Sequence, residues 1–461
     1  MEHARIFAEG GGLSAPTAWS AAAFGWMVRT ARERLARDGG GDGAVRAVIL
    51  GAVTLDEPDE REQALRDAGA AEVRSCIVTD DGGGEAEAAA AIGRAHVLFL
   101  RGGDQGRYVR GWRNTSVFAA IRELAARGGV VAGTSAGCAV LGEVTYSAEN
   151  DSLSATEALA DPAHPDATLV RGFTGLAPGV LFDTHFTERG RLGRLPVLLG
   201  RSRELFEERR AVLGVGCDPR TAAAVGADGI ARVMGEGTVT LLRETAGSRV
   251  RVGSGGPPTV TDLSCDVLLA GSAFRMADGA VVERPAEAAR NGHGDVVEER
   301  SFEALTIDGA REGDGGLGVL RVRKVEAGAG EERRGAWESV SGEGRLPGSV
   351  VRTRAFSDDV WDSFAAVLGA LAAGPGLVGW WVPEGCHLAV DEAGLVRVRA
   401  DSTSSVLVLD SAGATYAGTR GAPGARAASH LEGARVHVLG PGWGLSLRTR
   451  GVVAPEAATG G

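Results

Sequence analysis

The apolar run Val130-Val131-Ala132 leads into Gly133-Thr134-Ser135-Ala136-Gly137 and then Cys138-Ala139-Val140-Leu141, so a G-x-S-x-G segment sits where a buried strand turns into a helix. That requirement restricts the fold more than any other segment. A sharp strand-to-helix turn of this kind is a nucleophile elbow, which needs a sheet with a helix packed behind it. The turn lifts the Ser135 hydroxyl clear of the sheet. The backbone N–H after the serine, at the positive end of the helix, can then donate to a developing oxyanion. The first expectation is serine-dependent acyl transfer or hydrolysis. With 71 glycines in the chain such a pentapeptide also arises by chance, so its surroundings must decide.

Two other segments have the same form. His96-Val97-Leu98-Phe99-Leu100 reads as a strand ending in Arg101-Gly102-Gly103-Asp104-Gln105, a glycine turn able to offer a second backbone N–H. Val180-Leu181-Phe182 reads as another, ending in Asp183-Thr184-His185 and followed by Phe186-Thr187-Glu188-Arg189-Gly190-Arg191-Leu192-Gly193-Arg194-Leu195. Three strands thus deliver polar residues at their carboxyl ends, where open α/β sheets place their sites. Helical spacing over 17–37, strands at Val45–Leu50 and Val73–Val78 with a helical stretch between them, and a helix capped by Ser116 give strand–helix alternation. The expected fold is α/β: a parallel, flavodoxin-like and glutamine amidotransferase-like sheet flanked by helices.

From about Ala211 the texture changes to short runs broken by glycine, which read as antiparallel strands and hairpins completing a first domain, 1–283. The polar, glycine-containing stretch 284–299 reads as a linker, and 300–461 as a C-terminal α+β region with a helix at Val360–Leu371. This region resembles a degenerate repeat of the end of the first domain. Thr221–Val233 matches Cys386–Val398, and Leu268–Gly271 matches Leu439–Gly442, but no second G-x-S-x-G occurs after residue 300.

The G-G-D-Q turn, the G-T-S-A-G elbow and the D-T-H-F-x-x-R-G-R-x-x-R segment, in this order, resemble the cyanophycinase and aspartyl dipeptidase family of serine peptidases, over roughly 1–283. The resemblance implies that Ser135 is the nucleophile, His185 its general base, and the N–H groups near Gly103 and Ala136 the oxyanion donors. It implies a substrate cleft lined by Asp104, Gln105, Asp183, Arg189, Arg191 and Arg194. Guanidinium groups suit aspartyl carboxylates, and Asp183 is expected to complement the arginine side chain of a β-aspartyl-arginine unit. Thr184 departs from the glutamine usual in cyanophycinases. The third triad member departs too. Where the family carries its acid in a D-E-x-T-A segment, this chain reads Asp218-Pro219-Arg220-Thr221-Ala222, and Pro219 cannot orient an imidazole. Asp218 is the first substitute, with Glu149, Asp151 and Glu384 as alternatives.

A net charge of -11, with Lys324 the sole lysine, argues against nucleic acid as a partner. Neither a membrane span nor a signal segment is legible, so a cytoplasmic location is expected. Five scattered cysteines, Cys76, Cys138, Cys217, Cys265 and Cys386, suggest neither a disulfide framework nor a metal site. The chemistry calls for no cofactor, and the expected assembly is a homodimer. Two functional classes follow: a hydrolase of β-aspartyl bonds in a cyanophycin-like polymer, and a catalytically impaired homologue that binds such peptides.

Overall fold

The computed structural model describes residues 4–39, 43–55, 59–253, 255–286, 288–290, 305–308, 321–325, 336–340, 349–353, 367–368, 371, 376–391, 393–399, 401–420 and 428–455. The chain begins β1 (Arg5–Glu9), α1 (Ala18–Arg37), β2 (Arg46–Gly51), α2 (Glu60–Asp67), β3 (Glu72–Ile77), α3 (Glu85–Arg94), β4 (Val97–Leu100), α4 (Gln105–Trp112), α5 (Ser116–Ala126), β5 (Val130–Thr134) and α6 (Ala136–Ala139). The five strands pair in parallel in the order β1-β5-β4-β2-β3. The expected α/β fold with a nucleophile elbow is therefore present.

Strand alternation explains the layers. Phe7, Ala47, Ile49, Val97, Phe99, Val130 and Ala132 face α1 and α2, whereas Ile6, Ala8, Val48, Leu50, Leu98, Leu100 and Val131 face α3 and α5. The apolar strands are buried on both faces, as a parallel sheet demands. Helix α1 starts where a capping box closes between Thr17 and Ser20, and it buries Trp19, Ala23, Phe24, Met27, Val28 and Ala31. The cap of α5 is Thr115 rather than Ser116: its hydroxyl accepts from Phe118 N at 3.3 Å.

After the elbow come β6 (Gly142–Tyr146), α7 (Ala155–Ala160), β7 (Leu169–Arg171), β8 (Ala177–Asp183), α8 (Leu195–Phe206), β9 (Leu213–Cys217), β10 (Thr221–Val225), β11 (Ile230–Gly235), β12 (Thr238–Arg243), β13 (Arg249–Arg251), β14 (Thr259–Leu269), β15 (Ala273–Arg275) and β16 (Val281–Glu283). Strands β10, β11, β15 and β16 extend the first sheet antiparallel beyond β1. A second sheet begins β7-β6-β8-β9-β12-β14, and its face joins the core under β1–β5 through Phe182, Val215 and Leu241.

The remaining strands are β17 (Ala289–Arg290), β18 (Leu305–Asp308), β19 (Arg321–Val325), β20 (Ala336–Val340), β21 (Ser349–Thr353), β22 (Val378–Val382), β23 (His387–Val390), β24 (Leu395–Val398), β25 (Val406–Asp410), β26 (Tyr416–Arg420), β27 (Ala428–Leu439), β28 (Gly444–Ser446) and β29 (Val452–Val453). Strand β27 pairs antiparallel with β14, and the second sheet continues β27-β25-β22-β21. The two halves therefore share one sheet. Its order is palindromic about the seam: β8 and β9 are parallel neighbours, as are β21 and β22, and the strands between each pair and the seam are antiparallel. A separate sheet, β18-β23-β24-β28-β29, repeats the antiparallel order β1-β10-β11-β15-β16.

The stretch read as a linker is partly described. Arg284 pairs with Glu432 through two hydrogen bonds, and β17 pairs with β26, so its first residues belong to the folded body. Of the helix expected at Val360–Leu371, only 367, 368 and 371 are described, and Val367, Leu368 and Leu371 are buried against Trp381 and β27 residues; the rest lies outside the described residues. No helix among the described residues is long and apolar enough to cross a membrane.

Candidate active site

Ser135 stands between β5 and α6 with φ +49° and ψ -115°, a conformation costly for a residue with a Cβ and typical of a strained elbow. The glycines around it are there for space. A Cβ on Gly133 would meet the Gly137 carbonyl at 2.2 Å, and one on Gly137 would meet the Leu100 carbonyl at 2.3 Å. Strand, elbow helix and β4 can close up only because both lack side chains. Helix α6 then begins at Ala136, whose N–H lies at the positive end.

His185 follows the end of β8, and it too has a left-handed backbone, φ +45°. Its Nε2 lies 3.1 Å from Ser135 Oγ. Its other ring nitrogen, Nδ1, lies 2.6 Å from Oε2 of Glu188, one helical turn along the chain. Base and hydroxyl are thus in contact, and a carboxylate orients the far side of the ring. This is a nucleophile–base–acid arrangement.

The carboxylate that sequence reasoning placed first is elsewhere. Asp218 is buried and accepts from Thr187 N (2.8 Å), Thr238 N (2.9 Å) and the Thr238 hydroxyl (2.7 Å). Burial pushes its pKa up against these bonds. It fastens the segment after His185 to β12 and leaves the Nδ1 position to Glu188. Glu149 accepts from the Ser147 hydroxyl, and exposed Asp151 from Ser152 N. Glu384 is exposed in the turn after β22, in the other half of the chain.

Gly102 packs against the nucleophile: a Cβ there would stand 3.4 Å from Ser135 Cβ. The peptide joining Gly102 to Gly103 is the second oxyanion candidate, with Gly103 exposed and at φ +137°. Asp104 caps α4 through Gly106 N at 2.7 Å and lies 3.8 Å and 3.7 Å from Arg107 and Arg110. Gln105 Nε2 lies 3.5 Å from the Tyr146 carbonyl.

Three of the residues expected to line the cleft are buried instead. Asp183 receives Nε and Nη2 of Arg194 at 2.9 and 2.6 Å, and Arg191 Nη1 at 3.5 Å. Arg191 also donates to the Thr184 carbonyl at 2.6 Å, and Arg194 to the Leu153 carbonyl at 2.6 Å while lying over the Tyr146 ring. Burial opposes ionisation of Asp183, but the Arg194 charge outweighs it and holds the carboxyl below its ordinary range. Burial together with Arg194 pushes Arg191 down to about 9. These three residues brace the base loop and α8 from within. Arg189 alone of the three arginines is exposed.

All five cysteines are free and buried, and burial holds the Cys138 thiol well above its ordinary pKa, which disfavours a thiolate nucleophile there. Among the described residues, Glu157, His164 and Asp166 bring metal-ligating atoms within 4.8 Å of one another. Glu157 is already engaged as the capping partner of Ser154, and the group takes no part in the Ser135–His185 contact.

Comparison with known proteins agrees with the family resemblance. Residues 60–162 match the model of Peptidase family S51. The chain is 34% identical over 209 residues to a cyanophycinase of Synechococcus elongatus, and equally to one of Thermosynechococcus vestitus, covering 44% of this chain and 60% of each relative. A cyanophycinase of Trichormus variabilis is 33% identical over 184 residues, covering 39% of this chain and 56% of that protein. The aligned region thus spans about three fifths of the length of these relatives. Among solved structures, a peptidase from an acI-B1 Actinobacterium aligns with a TM-score of 0.43 at 17% identity, over 59% of this chain and 97% of that one.

Proposed function

We propose that the protein is a serine-type peptidase that hydrolyses β-aspartyl peptide bonds of a cyanophycin-like polymer through an acyl-enzyme. The observation that carries this reading is the Ser135–His185–Glu188 chain of contacts, 3.1 Å and 2.6 Å long, set on a strained elbow. The names of the relatives point to the polymer.

In the first step Ser135 Oγ attacks the scissile carbonyl carbon as His185 Nε2 takes the hydroxyl proton. Glu188 keeps Nδ1 protonated and stabilises the imidazolium that forms. The N–H groups of Ala136 and Gly103 receive the oxyanion. Collapse of the tetrahedral adduct breaks the C–N bond, and His185 returns the proton to the leaving amine. Water, deprotonated by the same imidazole, then attacks the ester carbonyl, releases the acid and restores Ser135. Exposed Arg189 and Asp104 are the polar groups offered to a substrate with carboxylate and guanidinium ends. The cleft is less cationic than the arginine pattern suggests, because Arg191 and Arg194 serve Asp183.

Incubation of the protein and its Ser135→Ala form with cyanophycin and with short β-aspartyl-arginine oligomers, followed by mass spectrometry, tests the reading. Dipeptide release by the wild type alone is expected. Saturable binding without turnover would instead establish the impaired homologue.

A further inference from the structure

Glu9 closes β1 beside the elbow, and its side chain is fully buried. Its Oε2 accepts from the Thr134 hydroxyl and from Gly11 N at 3.0 Å, and its main-chain carbonyl accepts from Ser135 N at 3.0 Å. The chain then turns behind the base. Gly10 O accepts from His185 N at 2.8 Å, and Gly11 O from Arg220 N at 2.7 Å. Gly11, at φ +137°, lies flat against the imidazole: a Cβ there would stand 2.3 Å from His185 Nε2. One carboxyl group therefore ties the residue before the nucleophile to the turn that backs the base.

An apolar residue in this place would be cheaper. Glu9 Oε1 is buried without a hydrogen bond of good geometry, a defect that an apolar side chain would not carry. Burial also pushes the acid up to about 7. The neighbouring apolar residues Phe7 and Ala8 show that β1 accommodates hydrocarbon at adjacent positions. What distinguishes position 9 is its place between Thr134 and Gly11.

We propose that Glu9 is a positioning residue that clamps the Gly10–Gly12 turn to Thr134 and so holds the His185 imidazole at reacting distance from Ser135. The inference rests on the Ser135–His185 reading above. The clamp needs an acceptor oxygen and leaves the charge free to vary. Glu9→Gln keeps the acceptor; Glu9→Ala removes it; Thr134→Val removes the donor on the elbow side and provides a second route should the alanine form fail to fold.

The experiment has two readouts. The first is the rate of Ser135 labelling by a fluorophosphonate. The second is the ¹⁵N resonance of His185 Nε2 in ¹⁵N-histidine-labelled full-length protein, with Ser135→Ala defining the shift for a lost contact. Glu9→Ala and Thr134→Val are expected to slow labelling roughly 10- to 100-fold, the cost of a misplacement of about 1 Å. Both are expected to move the Nε2 resonance toward the Ser135→Ala value, while Glu9→Gln stays near wild type on both readouts. Wild-type labelling and resonance in Thr134→Val or Glu9→Ala overturn the clamp, as does a Glu9→Gln form as impaired as Glu9→Ala. A wild type that does not label, with a resonance that still responds to the clamp variants, would refute the peptidase reading and leave the clamp standing.

Discussion

Glu188 and Asp218 are the two carboxylates nearest in role to a triad acid, and their surroundings separate them. Glu188→Gln is expected to lower kcat by about 10²- to 10⁴-fold with little change in KM, because the imidazole loses its orienting charge while the cleft is untouched. Asp218→Asn is expected to act on stability, since it disturbs a buried carboxyl held by three donors. Steady-state kinetics and thermal unfolding of both variants check this pair of outcomes. Ser135 and His185 were legible because each lies in a contiguous motif. Glu188 was overlooked because it was read as an ordinary position in the segment after the histidine. Its signal is the three-residue spacing His-x-x-Glu, which places two side chains on one face once that segment takes a helical turn, as the 3.0 Å bond from Arg189 N to the His185 carbonyl shows. Glu9 adds a pH dependence. Its folded-state pKa, about 7, exceeds the ordinary 4.5, so the folded protein holds the proton more tightly than the unfolded chain. The stability this contributes is complete below about pH 4.5 and is lost as pH rises through about 7. Relative to Glu9→Gln, the wild type is therefore expected to lose about 3 kcal/mol across that window, read from urea unfolding at each pH.

At the scale of elements, patterns decided by local chemistry were readable and those decided by packing were not. The helical spacing of α1 and the apolar runs in β2 and β4 follow from residues close together in the chain. The segment joining β8 to α8 does not. Arginines at 189, 191 and 194 suggest a cationic rim, yet a short 3-10 turn at Arg191–Gly193 carries two of them inward onto Asp183. A sequence cannot show which arginine meets a buried acid when the acid lies eight or eleven residues away on a strand. The distinction has a measurable consequence. Arg194→Ala is expected to destabilise the protein by about 3–5 kcal/mol, because it leaves the Asp183 carboxylate buried without its bidentate partner. Arg189→Ala is expected to leave stability unchanged and to raise KM for substrates bearing free carboxylates. Urea unfolding and Michaelis–Menten kinetics on the two variants separate the brace from the rim.

The whole molecule is organised about the β14–β27 seam, and this bears on assembly. The offset that matches Leu268 with Leu439 in sequence carries Ser264 onto Arg435, and those two residues are direct partners in the register. A strand that pairs with its own counterpart at that point has the geometry of a two-fold interface between identical subunits. Here both sides of the interface are in one chain. The sequence carries only a faint trace of this, because what repeats is strand order and buried alternation, which many residue pairs satisfy. The seam is closed on both flanks by β12 and β25 and is filled by Leu263, Cys265, Val267, Leu431, Ala434 and Val436, all buried. A second chain has no room to pair there. Among the described residues the first sheet ends in β16 and β3, three and six residues long, and its counterpart in β18 and β29, four and two residues long. The long edge, β3, exposes Glu72, Arg74 and Ser75, a charged face that discourages edge pairing. The seam gives a second copy no strand to pair with, and on this ground a monomer is expected; the homodimer anticipated from the sequence needs another surface. Sedimentation equilibrium over a wide concentration range should give a single species at the chain mass of 47.2 kDa. A species of twice that mass would mean that a surface other than the seam joins two copies, and it would leave the internal pairing of β14 with β27 in need of an independent test by cross-linking between cysteines placed at 264 and 435.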